Sequence, residues 1–325
     1  MIEVKNLTKI YGDHVAVDDL SFTIEDGKIY GLLGPNGAGK STTMNVMTGC
    51  LSATYGSASV DGLDIFEDAD EAKKKIGYLP EIPPLYNECT PYEYLNFVAE
   101  AKGIVKAQRK EAVAKVMEQT GITQMQHRLI RNLSKGYKQR TGIAQAILGD
   151  PEIIILDEPT VGLDPKQIIE IRDLIHSLAK THTVILSSHI LSEIRAVCDV
   201  IMIISEGKLV ACDTPENLEM KYADGLTLKI VTKAEDAVLE EIMKGIPEVL
   251  AYETEESSGK RTVTVHLSKE SSDDPEEKLF TAFAAHQQAI YQMSTETASL
   301  EDVFLELTGE KKEKEEEADD SSIQA

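Results

Sequence analysis

Along the first two hundred residues, short apolar runs alternate with longer amphipathic stretches, the pattern of an α/β domain. It predicts strands at 2–7, 21–24, 29–33, 76–79, 153–156, 183–187 and 200–205. It predicts helices at 40–48, 91–102, 106–120, 135–148, 165–180 and 190–197. Three of the strands, in KIYGLLG, IIILDE and TVILSSH, are near-continuous β-rich runs, as expected where both sheet faces are covered. From Leu226 the rhythm changes to LTLKIVT, EDAVLEEIMKGI, VLAYETEE, RTVTVHLS, EEKLFTAFAAHQ and AIYQMST. That order is β-α-β-β-α-β, a small ferredoxin-like α+β domain, closed by the amphipathic SLEDVFLELTG. SSGK at 257–260 is the expected hairpin turn between its middle strands. The expected division is therefore a domain at 1–220 with a helical insertion at about 85–150, an accessory domain at 221–309, and a tail at 310–325. EKKEKEEEADD, at 310–320, holds seven acids and three lysines, with too little apolar content to order itself.

The whole chain has 33 basic and 56 acidic residues, net −23, which argues against a nucleic-acid partner because phosphate-backbone affinity needs clustered Lys and Arg. Cys50, Cys89, Cys198 and Cys212 form no CxxC pair and have no histidine cluster beside them, so they read as reduced thiols rather than a disulfide frame or zinc site. MIEVKNLTKIYG lacks the features of a signal peptide, and no apolar run approaches the ~20 residues of a membrane span. The expectation is a soluble, cytoplasmic protein whose membrane role, if it has one, is supplied by a partner.

Gly34-Pro35-Asn36-Gly37-Ala38-Gly39-Lys40-Ser41-Thr42 fits GxxxxGK[ST] between a strand and a helix. In such a loop, backbone N–H groups close around phosphate oxygens, and the helix N-terminus adds its positive end. Lys40 would reach the β- and γ-phosphates, and Ser41 would hold Mg²⁺. This loop alone does not separate a kinase, a GTPase and a motor. A second signal is the strand 153–156 ending in Asp157-Glu158, at the edge where open α/β sheets bind ligands. Asp157 would bind Mg²⁺ and Glu158 would act as general base on the attacking water, although acids after a strand also serve as helix caps. Lys40 and Asp157 are 117 residues apart, so an insertion separates them.

The insertion carries Leu133-Ser134-Lys135-Gly136-Tyr137, where Ser134 reads as the N-cap of a helix and hence as a second phosphate site. One nucleotide rarely needs two such sites, so this one is expected to complete the pocket of a neighbouring copy. At this point the chain resembles the ATP-binding cassette family. The phosphate loop, the Glu81 loop, LSKGY, LDEPT, Gly162-Leu163-Asp164 and His189 occur in family order over 1–215. The resemblance implies a P-loop ATPase domain with a helical signature subdomain, with ATP and Mg²⁺ as cofactors. It implies that Tyr11 stacks on adenine and that His189 contacts the γ-phosphate. Asp164 would lie at a dimer seam, Ser134 and Gly136 would donate to the ATP of the opposite subunit, and the Lys135 cation would face that ATP's phosphates or reach solvent.

Two positions depart from the commonest family pattern. Glu81 stands where a Gln usually does; it keeps an oxygen for Mg²⁺ but loses the amide donor. Lys135 stands where Gly is more common. Both variants, and the closing segment SLEDVFL, resemble cassettes that serve ABC-2 type exporters. The resemblance implies a dimer of ATP-binding subunits, a homodimer in the simplest case, at the inner face of the cell membrane and driving a separate polytopic permease. A non-transport cassette usually shows two cassettes or a long coiled coil, and a GTPase an NKxD motif; neither is visible here. The third alternative is a ligand-sensing C-terminal domain that controls the ATPase.

Overall fold

The computed structural model describes residues 1–222, 226–257, 259–267, 275–296 and 299–309. The tail at 310–325 lies outside the described residues, as does Ser258 of the expected hairpin turn. The described chain divides into two compact units, Met1–Pro215 together with Leu307–Gly309, and Glu216–Glu306.

The first unit opens with β1 (Ile2–Tyr11) and β2 (His14–Ile24), an antiparallel pair in which Tyr11 faces His14 across the Gly12-Asp13 turn. Next come β3 (Ile29–Leu33), α1 (Lys40–Met47), β4 (Tyr55–Val60), β5 (Leu63–Asp64), α2 (Ala69–Lys74) and β6 (Ile76–Leu79). The insertion supplies α3 (Pro91–Ala101), α4 (Lys106–Gln119) and α5 (Lys135–Ile147). The chain then runs through β7 (Ile153–Leu156), α6 (Pro165–Leu178), β8 (Thr183–Ser188), α7 (Leu191–Val197), β9 (Val200–Ser205) and β10 (Lys208–Asp213). At the division between units lies α8 (Pro215–Lys221).

Two sheets result. One is antiparallel, in the order β2-β1-β4-β5; the other has the order β10-β9-β3-β8-β7-β6 and is parallel except for β10. Every residue of β3, β7 and β8 is buried, which is why those strands read as near-continuous β-rich runs, with only Thr183, Ser187 and Ser188 of β8 polar. One core gathers Ile2, Leu7, Leu20 and Val60 of the antiparallel sheet, Met44 and Met47 of α1, and Leu32, Ile155, Ile185 and Met202 of the parallel sheet. Helix α1 is thereby fixed between the two sheets, with its N-terminus at the carboxyl end of β3.

The strands that the pattern left out are those without clean alternation. β4 reads YGSASV, whose small side chains carry little hydrophobic signal. β2 begins seven residues before the expected strand, because Asp18-Asp19 interrupts its pattern and Asp19 sits at φ 52° where the pairing register shifts. The cap signals of the insertion are explicit. Thr90 and Glu93 form a reciprocal capping box ahead of α3, with Pro91 at the first helical position.

The second unit holds β11 (Leu226–Thr232), α9 (Asp236–Lys244), β12 (Val249–Ser257), β13 (Lys260–Leu267), α10 (Pro275–Ala285) and β14 (Ile290–Glu296). Its antiparallel sheet has the order β12-β13-β11-β14, as the ferredoxin-like reading expects. Leu228, Ile230, Val263 and Val265 on one face pack with Leu239, Ile242, Leu279 and Phe283 of the two helices. A final helix, α11 (Leu300–Thr308), buries Leu300, Val303 and Phe304.

Candidate active site

The loop between β3 and α1 owes its path to glycine. Gly37 and Gly39 have φ +84° and +104°, a region that costs little without a Cβ. A Cβ on Gly34 would lie 2.2 Å from the Ile204 carbonyl oxygen, and one on Gly39 2.5 Å from that of Ala16. A Cβ on Gly37 would meet nothing within 4 Å, so this turn faces open space.

That space is a cavity of about 510 Å³ lined by Tyr11, His14, Ala16, Asn36, Gly37, Gly39, Lys40, Ser41, Thr42, Glu81, Glu158, Val161 and His189. Lys40 is buried, and its ammonium donates to the carbonyl oxygens of Gly34 (2.7 Å) and Pro35 (3.0 Å). Burial pushes the Lys40 ammonium below its ordinary pKa, and the carboxylates of Glu158 and Asp157 oppose that shift. The other loop residues, Gly34, Pro35 and Ala38, shape the backbone without lining the cavity.

At the end of β7, Asp157 and Glu158 are both buried. Ser187 of β8 ties them together. Its hydroxyl donates to Asp157 Oδ1 (2.6 Å) and accepts the Glu158 N–H (2.8 Å). Ser41 Oγ lies 3.4 Å from the same Asp157 oxygen, across from α1. Glu158 adopts φ 48°, uncommon for a residue with a side chain and held by the Ser187 bond. Both of its carboxylate oxygens lie 3.0 Å from His189 Nδ1. A carboxylate only accepts, so Nδ1 carries the proton and Nε2 is the free ring nitrogen. Glu81 lies just after β6 and is exposed at the cavity.

The signature residues lie elsewhere. Ser134 caps α5, its Oγ accepting the Tyr137 N–H, and with Gly136 it lines a separate depression of about 210 Å³ shared with Gln124, Tyr137, Gln167 and Glu170. The Lys135 ammonium is folded over Gly162, where an added Cβ would come within 2.0 Å of Nζ. Asp164 caps α6, accepting the Gln167 N–H at 2.9 Å.

Three cavity residues and one support went unread in the sequence: His14, Ala16, Val161 and Ser187. His14 had a signal, since a two-residue Gly-Asp turn after Tyr11 brings the partner strand back opposite it. Ser187 had only its place two residues before His189.

Oxygen donors suit Mg²⁺, which keeps water and phosphate oxygens in its shell and takes few protein ligands. The Ser41 hydroxyl and a single Asp157 carboxylate fit that donor set. Among the described residues no cluster of three or more His, Cys, Asp or Glu could cage an ion. No helix among them is long and apolar enough to cross a membrane.

Comparison with known proteins agrees with this geometry. The ABC transporter family model matches residues 17–161. The uncharacterized ABC transporter ATP-binding protein YhcH of Bacillus subtilis is 37% identical, covering 96% of this chain and 97% of its own length. The bacitracin transport ATP-binding protein BcrA of Bacillus licheniformis is also 37% identical, over 95% of this chain and 97% of its own. Among solved structures, an ATP-binding subunit of an ABC transporter superposes with a TM-score of 0.62 at 30% identity, covering 68% of this chain and 93% of that one. A dimeric cassette in a post-hydrolysis state with ADP and phosphate gives 0.60 at 26% identity, over 66% and 98%. With the phosphate loop, Glu158 and His189 lining one cavity, and with relatives matched over nearly their whole length, this chain belongs to the ABC transporter ATP-binding proteins and is an ATPase.

Proposed function

We propose that this subunit dimerises around two ATP molecules and uses their hydrolysis to drive a separate membrane permease in the direction of export, from the inner face of the membrane. The observation that carries the reading is the separation of Ser134 and Gly136 from the Lys40–Glu158 cavity of the same chain. A helix N-terminus with a Ser cap is a phosphate site, and a head-to-tail copy would bring it to the neighbour's nucleotide. The names of relatives that serve bacitracin and lantibiotic transport support the exporter assignment. Exposed apolar side chains in the segment after Glu81 support a protein partner: Ile82 is 82% exposed, and the exposed rings of Tyr86 and Phe97 lie 5.4 Å apart.

In this reading the phosphate loop and Lys40 cradle the triphosphate, and Tyr11 stacks on adenine. Ser41 and Asp157, with Glu81 beside them, would hold Mg²⁺, which when bound neutralises developing phosphate charge. Glu158 accepts the proton of the water that attacks the γ-phosphorus, the bond to the β–γ bridging oxygen breaks so that ADP leaves and inorganic phosphate forms, and His189 keeps the carboxylate aimed. Asp164 sits at the seam, and Lys135 reaches the partner's site from above Gly162. Residues 1–220 are the motor, 221–309 an accessory domain and 310–325 an acidic appendage.

Glu158→Gln should retain ATP and accumulate as a dimer on a sizing column, with turnover down about 10²–10⁴-fold. Adding Ser134→Arg should return that variant to monomer without loss of ATP binding. A dimer that persists after the Ser134→Arg change would refute the trans-site assignment.

A further inference from the structure

Tyr11 is not a free-standing aromatic. Residues two apart on a strand share a face, and Lys9 lies two before Tyr11 on β1. The Lys9 ammonium sits 5.2 Å from the Tyr11 ring centroid, within cation–π range. It is also anchored, because Nζ donates to the Ser52 carbonyl oxygen at 2.8 Å. The 52–54 segment is itself fastened to β1: the Thr54 N–H donates to Thr8 O (2.8 Å), and Thr54 Oγ1 accepts the Ile10 N–H (3.0 Å). A ring that is 46% exposed is thus backed by a cation held in place from a second element.

A planar ring has two faces, and a purine needs one of them. A cation on the rear face restrains the ring's rotation and draws π density away from the front, which favours stacking by an electron-rich base. We propose that Lys9 is a positioning residue for the nucleotide base: it occupies one face of Tyr11, anchored through Ser52, and leaves the other for adenine. This rests on the reading that Tyr11 stacks on the base.

The test compares affinity for ATP with affinity for tripolyphosphate, which has the phosphates and no base, in wild type, Lys9→Met, Lys9→Arg and Tyr11→Ala. Lys9→Met should weaken ATP about two- to fivefold and leave tripolyphosphate unchanged. Lys9→Arg, which keeps the cation, should restore most of the loss. In a Tyr11→Ala background Lys9→Met should have no further effect, because the two residues act as one. If Tyr11→Ala weakens ATP but Lys9→Met does not, the role of Lys9 falls and the stacking reading stands. Unchanged ATP affinity in Tyr11→Ala would remove the stacking reading itself. Equal losses for ATP and tripolyphosphate in Lys9→Met would show that Lys9 holds only the strand, and would overturn the proposal.

Discussion

His189 Nδ1 lies 3.0 Å from each carboxylate oxygen of Glu158, a symmetric contact that fixes the plane of the carboxylate from the end of the neighbouring strand. A hydrogen bond to a charged group contributes about 1.5–3 kcal/mol, so its loss at the proposed general base would translate to roughly a tenfold to hundredfold slower turnover. His189→Ala should show that fall in kcat with little change in the dissociation constant for ATP. A variant with equal losses in both would assign the histidine to nucleotide binding instead.

Ser187 spends its one proton on Asp157 and accepts the backbone N–H of Glu158. Ser187→Ala leaves that N–H buried without its partner, at a cost of about 1–3 kcal/mol, and releases the positive-φ conformation of Glu158. The expected result is a lower urea midpoint together with a lower kcat. Either effect without the other would separate the fold from the site.

Gly77 lies where β6 passes under α5, and a Cβ there would come 2.2 Å from the Ala146 carbonyl oxygen, which is backbone and cannot rotate away. Gly77→Ala should destabilise the chain by about 1–3 kcal/mol, read as a shift in denaturation midpoint at constant slope. An unshifted midpoint would mean that α5 can slide on β6.

Lys102, just past α3, donates to the carbonyl oxygens of Gln145, Ala146 and Leu148 at the C-terminal end of α5. Desolvation of the ammonium among these carbonyls lowers its pKa from 10.5 to about 8, although the residue as a whole is exposed. Between those values the unfolded chain binds more protons than the folded one, so this group's contribution to stability rises with pH across that window and is level below it. The difference in unfolding midpoint between wild type and Lys102→Met should therefore move in favour of wild type from pH 8 to pH 10. A pH-independent difference would contradict the lowered pKa.

Glu81 lines the cavity with a carboxylate where an amide is usual in the family. Under the proposed nucleotide placement, its repulsion toward the γ-phosphate would be tolerable only with Mg²⁺ close by. Glu81→Gln should relax the Mg²⁺ requirement for ATP-driven dimerisation while largely preserving hydrolysis by the isolated subunit. Superimposable Mg²⁺ titrations for the two proteins would remove this role.

Local signals were enough for the parts of the protein whose chemistry is written in consecutive residues. The phosphate loop needs its glycines and Lys40 at fixed spacing, the buried strands need near-continuous β-rich runs, and the cap at Ser134 needs only the residue before its helix. The β-α-β-β-α-β order of the second unit was legible for the same reason. Tertiary structure decided what depends on long-range pairing. Ser187 becomes a support only because β8 lies beside β7, and His14 reaches the cavity only because β2 folds back on β1. Lys9 acquires its anchor from a segment 43 residues away. Lys135 turned toward Gly162 because α5 and the loop before α6 are neighbours in space. A pattern along the chain records which face a residue prefers; which residue it meets there is set by sheet order and register, and those are properties of the folded whole.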